Sequence, residues 1–183
     1  EEEGPRVFES PDVSFSSDVD VLVVGSGIAG LSAAMAPLEA GRSVMIAEKL
    51  ELLGGESYSS TGVMHVSGSA LQKQAGIETT AEQAWDTRRQ EFADAGITDL
   101  DFAKRLFEWV DQLVDEYGAQ FENPADHVKA GASERILLPK RGLGDMESIM
   151  TPLRDGLSSK GAAFATGLRA SAFVVDASGT VCG

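Results

Sequence analysis

The strongest constraint on this chain is a six-residue turn, Gly25-Ser26-Gly27-Ile28-Ala29-Gly30, set between a β-branched run and an alanine-rich one. Val19 to Val24 precedes it without a gap and reads as a strand buried on both faces. Leu31 to Ala40 reads as a helix stopped by Gly41, with Pro37 removing one donor and kinking its last turn. Ser43 to Ala47 is a second apolar strand, ending at Glu48. Strand, helix and strand in about thirty residues have the size of a βαβ crossover. In that context each glycine has a task. Gly25 makes the tight turn out of the strand, Gly27 lets the backbone approach a pyrophosphate, and Gly30 lets the helix pack close to the strands. The helix N-terminus then aims N–H groups and a partial positive charge at the phosphates. Glu48 can accept from both hydroxyls of a ribose and would repel a 2′-phosphate, which argues against NADP. The glycines alone do not choose between NAD and FAD.

The 183 residues suit one domain or slightly more, and 43% apolar content is globular rather than disordered. A net charge of −14 disfavours nucleic acid or an anionic membrane as partner. No apolar run approaches the ~18 residues of a membrane span. Cys182 is the single cysteine, and His65 and His127 have no metal-ligand spacing, so no metal site is expected. The first residues have no initiator Met and do not read as a signal peptide, which suggests a processed form or a piece of a longer chain. The compartment, cytoplasmic or exported, stays open.

Residues 1–17 read as a tail or linker, and 18–183 as one domain. Residues 49–70, rich in Ser, Thr and Gly, read as a loop. Thr79 to Glu82 offers a capping box for a helix that stops near Gly96. Thr98 to Asp101 starts another, whose apolar stripe is Ala103, Leu106, Phe107, Val110, Leu113, Val114 and Tyr117, with Gly118 at its end. Trp109 falls beside that stripe and is also read as a packing residue. Residues 122–144 look irregular. A third helix runs from about Asp145 to Ser159, with Met146, Ile149, Met150, Leu153 and Leu157 inward and Pro152 interrupting its ladder. Ala163 to Ala170 and Ala172 to Asp176 read as strands, and Ala177-Ser178-Gly179 as a hairpin turn toward Val181.

The segment after Glu48 is more specific than the glycines. Glu48-Lys49, four residues, Gly54-Gly55-Glu56-Ser57, then Thr61-Gly62-Val63-Met64-His65 resembles the FAD-dependent oxidoreductase 2 family. That family includes fumarate reductase and succinate dehydrogenase flavoproteins and 3-ketosteroid dehydrogenases. Its pattern is Glu-Lys-x4-Gly-Gly-Asn-Ser/Thr-x4-Gly-Gly-Met-Asn. Weaker likeness follows at Gln72-Lys73 with Gly76-Ile77, and at Gly131-Ala132-Ser133 with Arg135 and Pro139.

The resemblance implies an α/β, three-layer Rossmann-like FAD-binding domain with a helical insertion, stopping before a cap domain. It implies that Gly25, Gly27, Ile28, Ala29 and Gly30 hold the FAD pyrophosphate, Glu48 binds the adenosine ribose and Lys49 lines the adenine. Gly55, Ser57 and Thr61-Gly62 would run under the phosphates and isoalloxazine, the backbone near Gly62 and Val63 would approach flavin N5, and Ala170 would meet the adenine by its main chain. Three positions depart from the pattern. Glu56 replaces Asn and must turn outward or pair with a cation. Val63 replaces Gly and should keep negative φ. His65 replaces Asn, as a proton-transfer or flavin-tuning group or, the reading favoured, as a loop histidine donating to backbone. Leu137 stands where some fumarate reductases have His, which counts against a dicarboxylate substrate.

The implied activity is FAD-dependent reduction or desaturation of an activated carbon–carbon bond in a small molecule, with an unspecified electron donor. The alternatives are an NAD-dependent dehydrogenase and a non-catalytic dinucleotide-binding piece. The family's proton donor falls beyond Gly183, so no catalytic residue is named and these residues alone are expected to turn nothing over. Replacing Gly27 by Val puts a branched side chain where the pyrophosphate should lie. The expected outcome is loss of bound flavin with helix content by circular dichroism almost unchanged.

Overall fold

A strand–helix–strand unit brings the chain back to the same end of a sheet, so its two strands pair in parallel. Here β2 (Val21–Val24) lies beside β3 (Val44–Ala47), in register from Val21 opposite Val44 to Val24 opposite Ala47. The starts of both strands are pinned ahead of the ladder. Asp20 Oδ2 accepts from the main-chain N–H and the hydroxyl of Ser43, both at 2.8 Å, and Asp20 N donates to Ser43 Oγ. These bonds hold the Asp20 carboxyl below its ordinary range. β6 (Ala163–Ala165) pairs in parallel with the other edge of β3, giving the order β2-β3-β6.

This computed structural model describes residues 6–9, 13–129 and 136–183, leaving aside the side chains of residues 6–9, 103, 107 and 127. Gly131, Ala132, Ser133 and Arg135 therefore lie outside the described residues, as do the side chains of Ala103 and Phe107. By contacts the chain divides into two units, Glu1–Gly55 with Lys160–Gly183 and the inserted Glu56–Ser159.

In the first unit, α1 (Ile28–Glu39) begins three residues before the expected Leu31. Leu31, Ala34 and Met35 form its buried face, and Val23, Val44 and Ile46 are buried in the adjoining strands. Each large aliphatic side chain buried in this way contributes roughly 1.5–3 kcal/mol. Pro37 does not end the helix. The last turn closes two residues later, with Arg42 N donating to Pro37 O and Gly41 N to Leu38 O, and Gly41 takes φ +72°. β2 is not buried on both faces as its composition suggested. α1 covers one side, and the alternate residues Leu22 and Val24 are 50% and 59% exposed. Residues Arg6–Glu9, expected to be part of a tail, form β1, parallel to β7 (Ala172–Val175). Asp176 accepts from Ser178 and Thr180 to form the expected turn, and Val181 bridges back to Val175. β6 covers only the first three residues of the expected Ala163–Ala170 strand, because Gly167 turns at φ +65° and donates to Leu50 O.

The second unit is mainly helical. The segment expected to be a loop, 49–70, contains a 3-10 turn at Gly55–Ser59, the short β4 (Met64–His65) and the start of α2 (Ala70–Gln74). Helix α2 forms because Ser69 and Gln72 make a reciprocal capping box. The box of α3 (Ala81–Asp94) is Thr80 with Gln83, one residue later than expected. Thr79, displaced from that role, is buried with its hydroxyl unpartnered among the described residues. Trp85 and Phe92 stack with ring centroids 6.0 Å apart. α4 (Leu100–Tyr117) starts on Asp99 and ends at Gly118, φ +66°. Leu113, Val114 and Tyr117 are buried, but Leu106 and Trp109 are 41% and 45% exposed. Trp109 thus lies outside the buried core with Val66 and Leu137, which gathers at the C-terminal half of α4. The stretch 122–144 is less irregular than expected: it holds α5 (Pro124–Lys129) and β5 (Ile136–Leu137), which pairs antiparallel with β4. α6 (Glu147–Ser159) runs through Pro152 and buries Ile149, Met150, Leu153 and Leu157, with Met146 buried just ahead of it, as expected. No described helix is long and apolar enough to cross a membrane.

The tightest fit in the first unit is at Gly30, where an added Cβ would sit 1.9 Å from Gly25 O. Gly30→Ala must push α1 off its turn, and the expected cost is about 1–3 kcal/mol of unfolding free energy, measurable by urea denaturation.

Candidate functional site

The turn between β2 and α1 has the geometry its glycines imply. Gly25 takes φ +95°, which L side chains avoid, and its N–H donates to Ala47 O at 2.8 Å. Gly27 is the N-cap of α1 in an extended conformation, with no side-chain cap and no acidic residue in the first turn. The positive end of the helix at Ile28, Ala29 and Gly30 is therefore not neutralised by a carboxylate of its own first turn. Gly55, at φ +48°, passes close by: a Cβ there would lie 3.9 Å from Gly27 N.

Glu48, just beyond β3, is only 4% exposed. Its Oε2 accepts from Ser26 Oγ at 2.6 Å and from Ser26 N at 3.0 Å, and its Oε1 accepts from Leu50 N at 3.0 Å. The Ser26 hydroxyl, followed by the Leu50 and Ser26 main-chain N–H groups, holds the carboxyl down to about 2. Ser26 Oγ also accepts from Gly54 N at 2.8 Å, so one fully buried hydroxyl joins the glycine turn, the end of β3 and the Gly54-Gly55 turn. Ser26 occupies an unspecified position of the glycine pattern, and sequence reasoning passed over it. A small hydroxyl residue between two glycines, facing an acidic residue at the next strand end, was the available signal. Lys49 is exposed. The main chain after β6 closes over this end, with Leu168 N on Glu48 O at 2.8 Å, and Ala170 follows, exposed.

The remaining candidates belong to the second unit. Glu56 is exposed and Ser57 half-buried in the 3-10 turn. Thr61 is exposed and its carbonyl accepts from Gly144 N at 2.8 Å. Gly62 is buried at φ +75°, where a Cβ would press within 2.6 Å of Pro139 Cγ and 2.9 Å of Met146 Sδ. Val63 avoids positive φ, as do all described non-glycine residues. His65 is on β4 rather than in a loop. Its Nδ1 and Nε2 lie 3.2 and 3.3 Å from Arg88 Nη2, not on backbone groups. Burial and the Arg88 charge lower its pKa, and since guanidinium only donates, the imidazole is the acceptor and stays neutral. Leu137 is fully buried in the apolar cluster with Val66 and Val114. Sequence reasoning also missed Asp111 on α4, which accepts from Ser67 N at 2.9 Å and Ser67 Oγ at 2.8 Å and whose pKa is raised by burial.

A profile of the FAD binding domain matches residues 20–183 of this chain. A urocanate reductase of Eggerthella lenta is 43% identical over 77 residues, covering 42% of this chain and 12% of that protein. A 4-oxocyclohex-2-ene-1-carboxylate 5-dehydrogenase of Sinomonas cyclohexanicum is 34% identical over 147 residues, covering 73% of this chain and 24% of that protein. The chain thus spans a quarter or less of the length of these two relatives. Among solved structures, a 3-ketosteroid-Δ4-(5α)-dehydrogenase of Rhodococcus jostii RHA1 superposes with a TM-score of 0.68 at 20% identity, covering 97% of this chain and 43% of that one. At that identity the superposition shows a shared α/β fold.

The pH dependence of the Glu48 contribution follows from its depressed pKa. The stability it confers is complete above the ordinary 4.5 and is lost as pH falls through about 2. The gap in urea midpoint between wild type and Glu48→Gln should stay constant from neutral pH down to about 4.5, then narrow. A gap that does not change on further acidification would contradict the bonding described.

Proposed function

The chain belongs to the FAD binding domain family, and from that premise we propose that it is the cofactor-holding part of an oxidoreductase that reduces or desaturates a carbon–carbon bond beside an activating carbonyl in a small molecule. One observation carries this reading: the glycine turn at the start of α1 stands beside a buried, ionised Glu48, joined to it through Ser26, in a chain matched by the family over 20–183. The relatives add that the family's chemistry runs in both directions, since one is named a reductase and the other a dehydrogenase.

The residues fit FAD. Gly25, Gly27 and Gly55 present backbone without side chains, and α1 offers the pyrophosphate its positive end at Ile28, Ala29 and Gly30. Glu48 remains charged at any physiological pH and would share its oxygens between Ser26, Leu50 and the adenosine ribose. Lys49 and the main chain at Ala170 are exposed at the same end and serve the adenine. For Glu56, Ser57, Thr61, Gly62 and Val63 of the second unit, a main-chain role toward the phosphates and flavin ring rests on the resemblance alone. FAD, when bound, supplies hydride transfer through flavin N5. No residue of this chain is assigned the accompanying proton, because His65, the histidine nearest the family motif, is engaged as an acceptor by Arg88.

Two experiments test the proposal. Glu48→Gln in the full-length protein weakens hydrogen bonds to a charged acceptor, and FAD affinity should fall about tenfold. The full-length protein, reduced anaerobically with dithionite, should have its flavin absorbance restored by at least one of urocanate, fumarate or a cinnamate-type acid. Failure with all of them would remove the reductive reading of the proposed reaction.

A further inference from the structure

Within the reading of the first unit as the adenosine end of an FAD site, on which this inference rests, we propose that Ser26 is a positioning residue acting through Glu48. Its hydroxyl sets the ribose-binding carboxylate and the Gly54-Gly55 turn together, before the cofactor arrives. Three bonds fix its position. The hydroxyl donates to Glu48 Oε2 at 2.6 Å, the N–H donates to the same oxygen at 3.0 Å, and the hydroxyl oxygen accepts from Gly54 N at 2.8 Å. Ser26 and Glu48 are both shielded from solvent, Ser26 completely, so water does not readily replace a lost partner. A carboxylate has several staggered rotamers to choose from, and burial alone does not select one that faces the glycine turn. Two donors from one residue, both on Oε2, do select it, while Leu50 N holds Oε1. The remaining lone pair of the Ser26 hydroxyl then fixes Gly54, and with it the approach of Gly55 to Gly27 N. Ser26 thus ties the recognition of the ribose to that of the phosphates, although it need touch neither.

The test compares an isosteric pair in the full-length protein, Ser26→Thr, which keeps the hydroxyl, and Ser26→Val, which does not. FAD affinity is measured by flavin fluorescence from neutral pH down to about pH 4.5, and each variant is repeated in a Glu48→Gln background. The Val variant should bind FAD about tenfold more weakly than the Thr variant, and the deficit should widen on acidification as Glu48, no longer held by the hydroxyl, takes up a proton. In the Glu48→Gln background the gap should shrink and lose its pH dependence, leaving what the bond to Gly54 contributes. Equal affinities in the native background, or a Val deficit just as large and just as pH-dependent in the Glu48→Gln background, would overturn the proposal. If the β-branched pair does not fold, Ser26→Ala against wild type gives the same contrast without added volume. Urea unfolding of the same apoproteins separates this inference from the cofactor assignment. The loss of the Ser26 hydroxyl should cost stability that depends on Glu48 and on pH even if no flavin binds, whereas a folded wild type without affinity for FAD would overturn the functional reading alone.

Discussion

The first unit depends on a steric constraint: the carbonyl oxygen of Gly25 occupies the space that a Cβ at position 30 would need. With glycine at both positions, α1 can start just after the end of β2, on an N-cap, Gly27, that brings no side chain of its own. A larger residue at either place would lengthen the turn and move the helix start away from the strand ends. The parallel pairing of β2 with β3, pinned by Asp20 and Ser43, then delivers Glu48 to the same end. The glycine turn and the acidic residue thus meet because the strand register places them together.

Polar bonding fixes that meeting. A buried carboxylate without donors would take up a proton and lose its value as an acceptor. Ser26 and Leu50 prevent this by supplying three hydrogen bonds, and the charge is retained far into the acid range. A positive helix end and a fixed negative charge thus stand side by side, an arrangement that suits the proposed phosphates and ribose hydroxyls.

Much of this was legible in the sequence, and what was not has definite causes. The βαβ unit was readable because the strand and helix periods switch at the glycines, and α6 because five apolar residues recur at helical spacing and all are buried. Burial on both faces of β2 was over-read, since a β-branched run gives no information about how many layers cover it. The strand at Arg6–Glu9 was missed because its partner, β7, lies near the other end of the chain and four residues carry too little periodicity. Trp109 illustrates the same limit, because helical phase locates a stripe but does not say how far along the helix the core extends. Glycine and acid spacing pointed to the turn and the carboxylate that the fold brings together. Ser26 stayed hidden because a motif records where backbone conformation is restricted, and Ser26 acts through its side chain.

In the proposed function, the first unit recognises the adenosine diphosphate portion of a flavin dinucleotide. This recognition is tested most directly by titrating the full-length apoprotein with FAD and, separately, with FMN, following flavin fluorescence. FMN has the isoalloxazine and one phosphate but no adenosine to engage Glu48 or a pyrophosphate to engage the start of α1. FAD should bind one per chain, and FMN should bind far more weakly. Equal affinity for the two flavins would show that the glycine turn and Glu48 do not hold the cofactor.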